Sequence, residues 1–146
     1  GCQLVSSCDL AYASDISKFA TPGVNIGLFC STPMVALSRV VKNKHAMEML
    51  LTGDFINADK AKMIGLINNS FKEKDLHNEV NLIANKISNK SSLTLKIGKK
   101  AFYTQSGMKI TDAYKYASEI MIKNLMESDS EEGIKAFIEK RKPNWN

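Results

Sequence analysis

Phe19-Ala20-Thr21-Pro22-Gly23-Val24-Asn25-Ile26-Gly27-Leu28-Phe29-Cys30-Ser31-Thr32-Pro33 is the stretch on which the fold turns. Thr21-Pro22-Gly23, followed by Gly27, marks a loop with tight backbone demands. Phe19 and Ala20 ahead of it read as a short strand. Ser31-Thr32-Pro33 behind it opens a helix, with a hydroxyl N-cap and a proline in the first turn. Val35, Leu37, Val40 and Val41 ring that helix with apolar side chains and predict that it is buried. A strand, a tight loop and a buried helix in succession mark a piece of an α/β core.

Upstream, Gln3 to Ser7 reads as a helix end and Leu10 to Ala13 as a short buried strand. Downstream, the chain turns helical. Ala46 to Leu51 form a short helix ended by Gly53, and Asn57 caps another that Gly65 closes. Leu66, Ile67 and Phe71 suggest one more strand. Leu76, Val80, Ile83 and Ile87 then recur at helical spacing, as do Leu93, Ile97 and Ala101, and the run from Ile110 to Leu125. Ser128 and Glu131 have capping-box spacing before a last helix with Ile134, Phe137 and Ile138 on one face. The expected organisation is an α/β part at residues 1–71 and a helical region at 72–146. So few strand residues cannot make a covered sheet alone, and the chain opens at Gly1 inside what reads as an element. Both features lead us to expect a fragment.

The 146 residues, 44% hydrophobic and 24% charged, suit one folded domain rather than a disordered chain. No apolar run reaches the roughly 20 residues of a membrane-spanning helix. No targeting segment is visible. The net charge of +5 is scattered, with local groups at Lys99-Lys100 and Lys140-Arg141-Lys142. Neither group is interleaved with aromatics, which argues against nucleic acid and suits an anionic small molecule. Cys2, Cys8 and Cys30 fit neither a zinc pattern nor a disulfide framework, so reduced thiols are expected. His45 and His77 lie in unrelated segments, and no metal site is expected. Met47, Met49, Met63 and Met121 are expected to fill core or subunit contacts.

Several stretches, in order, resemble the C-terminal half of the crotonase superfamily, the enoyl-CoA hydratase/isomerase family. They are Gly1-Cys2-Gln3-Leu4 with Cys8-Asp9, then Phe19 to Pro22 leading to Gly27. Met47 to Gly53, Ala58 to Ile67, and Glu132 to Pro143 follow. Within the family, residues 20–33 look closest to a mitochondrial subgroup. The resemblance implies a ββα spiral with a C-terminal helical region that makes homotrimers or hexamers. It implies an acyl-CoA thioester as substrate or ligand, with no separate cofactor. Two backbone N–H groups would polarise the thioester carbonyl. One comes from the family's N-terminal half. The other belongs to a glycine just before the position of Gly1.

Two departures from the family pattern bear on function. Hydratases of this family use two glutamates as general acid and base. Here Gln3 and Gly23 stand at those positions. A glutamine amide holds a water or a substrate but does not shuttle a proton near neutral pH, and glycine has no side chain. The resemblance also implies Gly1, Gln3, Gly23, Gly27 and Phe29 at the acyl site, and Phe137 and Lys140 at the coenzyme A end. For these, packing or a solvated surface is the competing reading. Three functional readings stay open: an acyl-CoA binder that does not hydrate, a hydratase/isomerase (a lyase of fatty-acid metabolism) using a carboxylate from the N-terminal half, and a structural or inactive chain. A mitochondrial matrix or cytoplasmic location fits each.

Overall fold

The computed structural model describes residues 1–145. Two compact units make up the chain, Gly1–Leu82 and Ile83–Asn146.

The first unit carries every strand among the described residues. Helix α1 (Cys2–Ser7) leads to β1 (Tyr12–Ser14) and β2 (Lys18–Phe19), and then to a 3-10 turn at Pro22–Ile26. Helices α2 (Ser31–Val40) and α3 (Asn43–Thr52) follow, then β3 (Ile56–Asn57), α4 (Ala58–Met63) and β4 (Asn69–Phe71). β1 runs parallel to β4, with Tyr12 opposite Asn69 and Ser14 opposite Phe71. β2 runs antiparallel to β3, with Phe19 opposite Ile56. Lys72 Nζ meets Asp15 Oδ2 at 2.7 Å just beyond the parallel pair. That hydrogen bond holds the Asp15 carboxyl below its ordinary range. The core is Leu37, Val41, Ala46, Met49, Leu50, Ala58, Ala61, Ile64, Leu66 and Ile67, with Ala13 from β1. Burying a side chain such as Leu37 or Leu50 contributes about 2 kcal/mol each.

The second unit is helical. α5 (Leu76–Ser88) leads into it, and α6 (Ser92–Gln105), α7 (Ile110–Leu125) and α8 (Ser128–Ile138) build it. Its buried residues are small or polar: Ala113, Ala136, Ser91 and Asp129. Ser91 Oγ donates to Asp129 Oδ2 at 2.5 Å and accepts from Thr94 N at 3.0 Å, so one hydroxyl caps α6 and ties it to α8.

Several expectations shift. The first two strands sit at Tyr12–Ser14 and Lys18–Phe19 rather than at Leu10 to Ala13 and Phe19-Ala20. Leu66 and Ile67 are core residues ahead of β4 rather than strand residues. The caps of α2 and α8 fall one residue early, on Cys30 and Glu127, and neither side chain bonds the helix N–H groups. Ser31 Oγ instead donates back to the Phe29 carbonyl at 3.2 Å. α2 is not buried all round, since Val35 and Val40 are 49% and 42% exposed while Leu37 is 1% exposed. Met49 is a core residue, whereas Met47, Met63 and Met121 are exposed. The helix stops at Gly53 and Gly65 stand as expected. Both glycines have positive φ, 67° and 81°, where an L side chain is strained.

Candidate functional site

Gly1 is the N-cap of α1, and its carbonyl accepts from Val5 N at 3.0 Å. Gln3 lies in the first turn of this helix and is exposed. Cys2 and Val5 turn the other way and pack against the core cluster, as does Cys30 at the start of α2. Burial pushes the Cys2 thiol above its ordinary value, and the nearby Cys30 adds to the shift.

Gly23 sits inside a loop closed around it. Its carbonyl accepts from Leu28 N at 2.9 Å, and its N–H donates to Cys30 Sγ at 3.3 Å. A Cβ at Gly23 would land on the Leu28 carbonyl oxygen, well inside van der Waals contact, and 2.8 Å from Cys30 Sγ. Gly23 is thus required by space. Gly27 is required by conformation, with φ 77° and nothing within 4 Å of an added Cβ.

The loop rests on the end of α3. Thr21 is 2% exposed, and its hydroxyl donates to the Met49 carbonyl at 2.9 Å. Gly53, the left-handed stop of α3, leaves room for the loop: a Cβ there would come within 3.0 Å of Val24 Cγ2 and 3.2 Å of the Asn25 amide. Thr21, Gly53 and Cys30 therefore set the loop, although sequence reasoning assigned none of them to the site. The Gly53 stop signal was read, but its fit beneath Val24 and Asn25 has no signature in the sequence.

A cavity of about 320 Å³ opens between α1 and the loop. Gly1, Cys2, Val5, Phe19, Ala20 and Pro22 line it. Of the predicted acyl-site residues, only Gly1 lies on this wall. Gln3, Gly23, Gly27 and Phe29 do not line it, and Phe29 is 42% exposed on the way into α2. Among the described residues no group of His, Cys, Asp and Glu could hold a metal ion.

Phe137 and Lys140 belong to the second unit, at the end of α8. Phe137 is 84% exposed, and Lys140 is exposed with φ 55°. The helix closes with Arg141 N donating to the Ala136 carbonyl at 3.0 Å and Lys140 N to the Phe137 carbonyl at 3.2 Å, a Schellman stop. α4 ends in the same way, Leu66 N to Ala61 O and Gly65 N to Lys62 O, with glycine at the left-handed position. At α8 a lysine takes that position, at a cost of about 1 kcal/mol. Hydrogen bonds from Arg141 and the Asn144 N–H hold the Glu132 carboxyl down at about 2.

The sequence profile of the family described as Enoyl-CoA hydratase/isomerase matches residues 1–146. The chain belongs to the enoyl-CoA hydratase/isomerase family. Within this family it is 54% identical over 145 residues to the Xenopus laevis protein named enoyl-CoA hydratase domain-containing protein 3, mitochondrial, covering 99% of this chain and 49% of that one. The Homo sapiens protein of the same name is 51% identical, with 100% and 48% covered. The Pongo abelii protein named enoyl-CoA hydratase, mitochondrial, is 33% identical, with 99% and 50% covered. The crystal structure of the human domain-containing protein 3 matches with a TM-score of 0.96 at 51% identity, over 99% of this chain and 57% of that one. An enoyl-CoA hydratase structure from Mycobacterium smegmatis matches with a TM-score of 0.97 at 48% identity, over 99% and 56%. The crotonase-type α/β fold expected from the sequence is therefore the fold of this chain. The chain spans about half the length of the curated relatives it matches.

Proposed function

We propose that the protein binds acyl-CoA thioesters and does not hydrate them. The observation that carries this reading is the closed loop around Gly23. The family resemblance puts one of the hydratase glutamates at this position, and here the Leu28 carbonyl and Cys30 Sγ fill the space that even a Cβ would need. Gln3, at the other glutamate position, is exposed and offers an amide. An amide orients a water or a substrate carbonyl by hydrogen bonds but supplies no proton transfer. Each positioned acid or base is typically worth ~10²–10⁴-fold in rate, so the loss of both removes most of the hydration chemistry. Polarisation of a thioester by backbone N–H groups beside Gly1 does not depend on either carboxylate.

The naming of relatives as mitochondrial supports a mitochondrial location. The exposed apolar side chains of α7 and α8, among them Met121, Leu125, Ile134 and Ile138, support assembly into a homotrimer or hexamer that covers them. The test is calorimetric titration of the full-length protein with acetyl-CoA and butyryl-CoA. Saturable binding to one site per protomer is expected. No heat and no competition at millimolar thioester would overturn the reading.

A further inference from the structure

The lysines are not spread evenly along the chain. Residues 80–111 hold six of them and no Asp or Glu, which exceeds the net charge of +5 of the whole protein. Three, Lys96, Lys99 and Lys100, stand on α6, and all three are exposed. α6 packs against α7, and Ile97, Ala101 and Gln105 are part-buried positions along it. At 3.6 residues per turn, the opposite side of α6 carries two neighbouring rows. One is Leu95, Lys99 and Phe102, and the other is Lys96, Lys100 and Tyr103. Read along the chain, Lys99-Lys100 is not interleaved with aromatics. Wound into α6, the pair shares a face with two of them.

The apolar members of this face are open to solvent, Leu95 at 41%, Phe102 at 62% and Tyr103 at 54%. The Phe102 and Tyr103 rings meet edge to face, with centroids 5.3 Å apart and planes at 87°. That contact makes one apolar knob rather than two open ring faces on which bases would stack, so the shape favours a lipid surface over a nucleic acid. A second copy of the same face would set ammonium against ammonium. An anionic membrane satisfies both features at once. Its phosphates attract the lysines, and its acyl boundary takes up Leu95 and Phe102. Lysine stems are long enough to lie along that boundary while their ammonium groups stay at the headgroups.

We infer that the exposed face of α6 is a docking surface for an anionic phospholipid membrane, with Lys96, Lys99 and Lys100 at the lipid phosphates and Leu95 and Phe102 inserted beneath them. The contact is peripheral. It lies within the second unit and does not depend on the acyl-CoA reading.

The experiment is co-sedimentation of the full-length protein with phosphatidylcholine vesicles, with and without phosphatidylglycerol at about a third of the lipid. Binding is expected only to the anionic vesicles and is expected to fall steeply as salt is raised. Lys96→Gln, Lys99→Gln and Lys100→Gln together are expected to weaken it about a hundredfold, at roughly fivefold per lysine. Phe102→Ala leaves the charge unchanged and is expected to weaken it about tenfold. Lys44→Gln, Lys62→Gln and Lys74→Gln together remove the same charge from exposed positions of the first unit and are expected to have little effect. Glutamine is a good helix former, and circular dichroism is expected to show the fold unchanged in each variant. Equal weakening by the two triple variants would reduce the effect to net charge and overturn the inference. So would the absence of binding to anionic vesicles, or RNA bound through the same three lysines in place of vesicles.

Discussion

Gln3 and Gly23 both stand where the family resemblance implies a carboxylate, and the structure treats them in opposite ways. Gln3 is an exposed side chain on the first turn of α1, where one polar group replaces another without touching the fold. Gly23 is enclosed by the Leu28 carbonyl and Cys30 Sγ, and the loop backbone closes where a side chain would leave it. In the proposed reading, one position offers an amide where the resemblance implies a proton-transfer group, and the other offers no room for a side chain. A single letter in the sequence reports both as substitutions, and only the packing around them separates a change that can be undone from one that cannot.

The contrast breaks most readily at Gly23. Gly23→Glu is expected to destabilise the fold by about 3 kcal/mol, and Gly23→Ala by about 2 kcal/mol, because backbone must move to admit a Cβ. Urea denaturation would show this as a lowered midpoint, and a change under about 0.5 kcal/mol would mean that the loop opens freely. Thr21→Val comes next. It removes the buried hydroxyl that ties the loop to α3, at an expected cost of about 1 kcal/mol by the same measurement. The Met49 carbonyl keeps its bond from Gly53 N, which limits the loss. Gln3→Glu is expected to change stability by less than about 0.5 kcal/mol, as an exposed polar exchange does.

The smallest expected effect is a pH dependence set by Cys2, which packs against the same core cluster as Cys30. Burial raises its thiol above the ordinary 9.0, so the folded state holds the proton more tightly than the unfolded state. Its contribution is therefore complete below that value and is lost as the pH climbs through the raised folded value. Unfolding midpoints followed from pH 8 upward are expected to fall less steeply for Cys2→Ala than for wild type. Identical slopes would show that Cys2 titrates alike in both states.

The helices were legible because their apolar spacing is long enough to count. α5, α6 and α7 lie where Leu76, Leu93 and Ile110 begin their runs, and Gly53 and Gly65 end helices through a backbone angle that glycine readily adopts. The caps of α2 and α8 were misread because a hydroxyl at the right spacing does not say whether it stands before the first turn or within it. Ser31 and Ser128 both stand within. Strands of two or three residues carry too little alternation to fix their edges, so β1 and β2 were displaced. The candidate site was legible only as a family pattern. The closure around Gly23 joins residues five and seven positions ahead through a 3-10 turn, and the Glu132–Arg141 grip spans nine residues through a left-handed lysine. No helical or strand period produces either pairing.

The central claim is that closing Gly23 and replacing a carboxylate by Gln3 remove hydration but not thioester binding. The most direct test follows the conjugated-thioester absorbance of crotonyl-CoA with the full-length protein, wild type and Gln3→Glu. The account predicts no turnover above background for wild type and at most a trace for Gln3→Glu, with crotonyl-CoA bound in both. Turnover of the wild-type protein at about 10 per second, an ordinary enzyme rate, would contradict it and would place the missing carboxylate elsewhere in the protein.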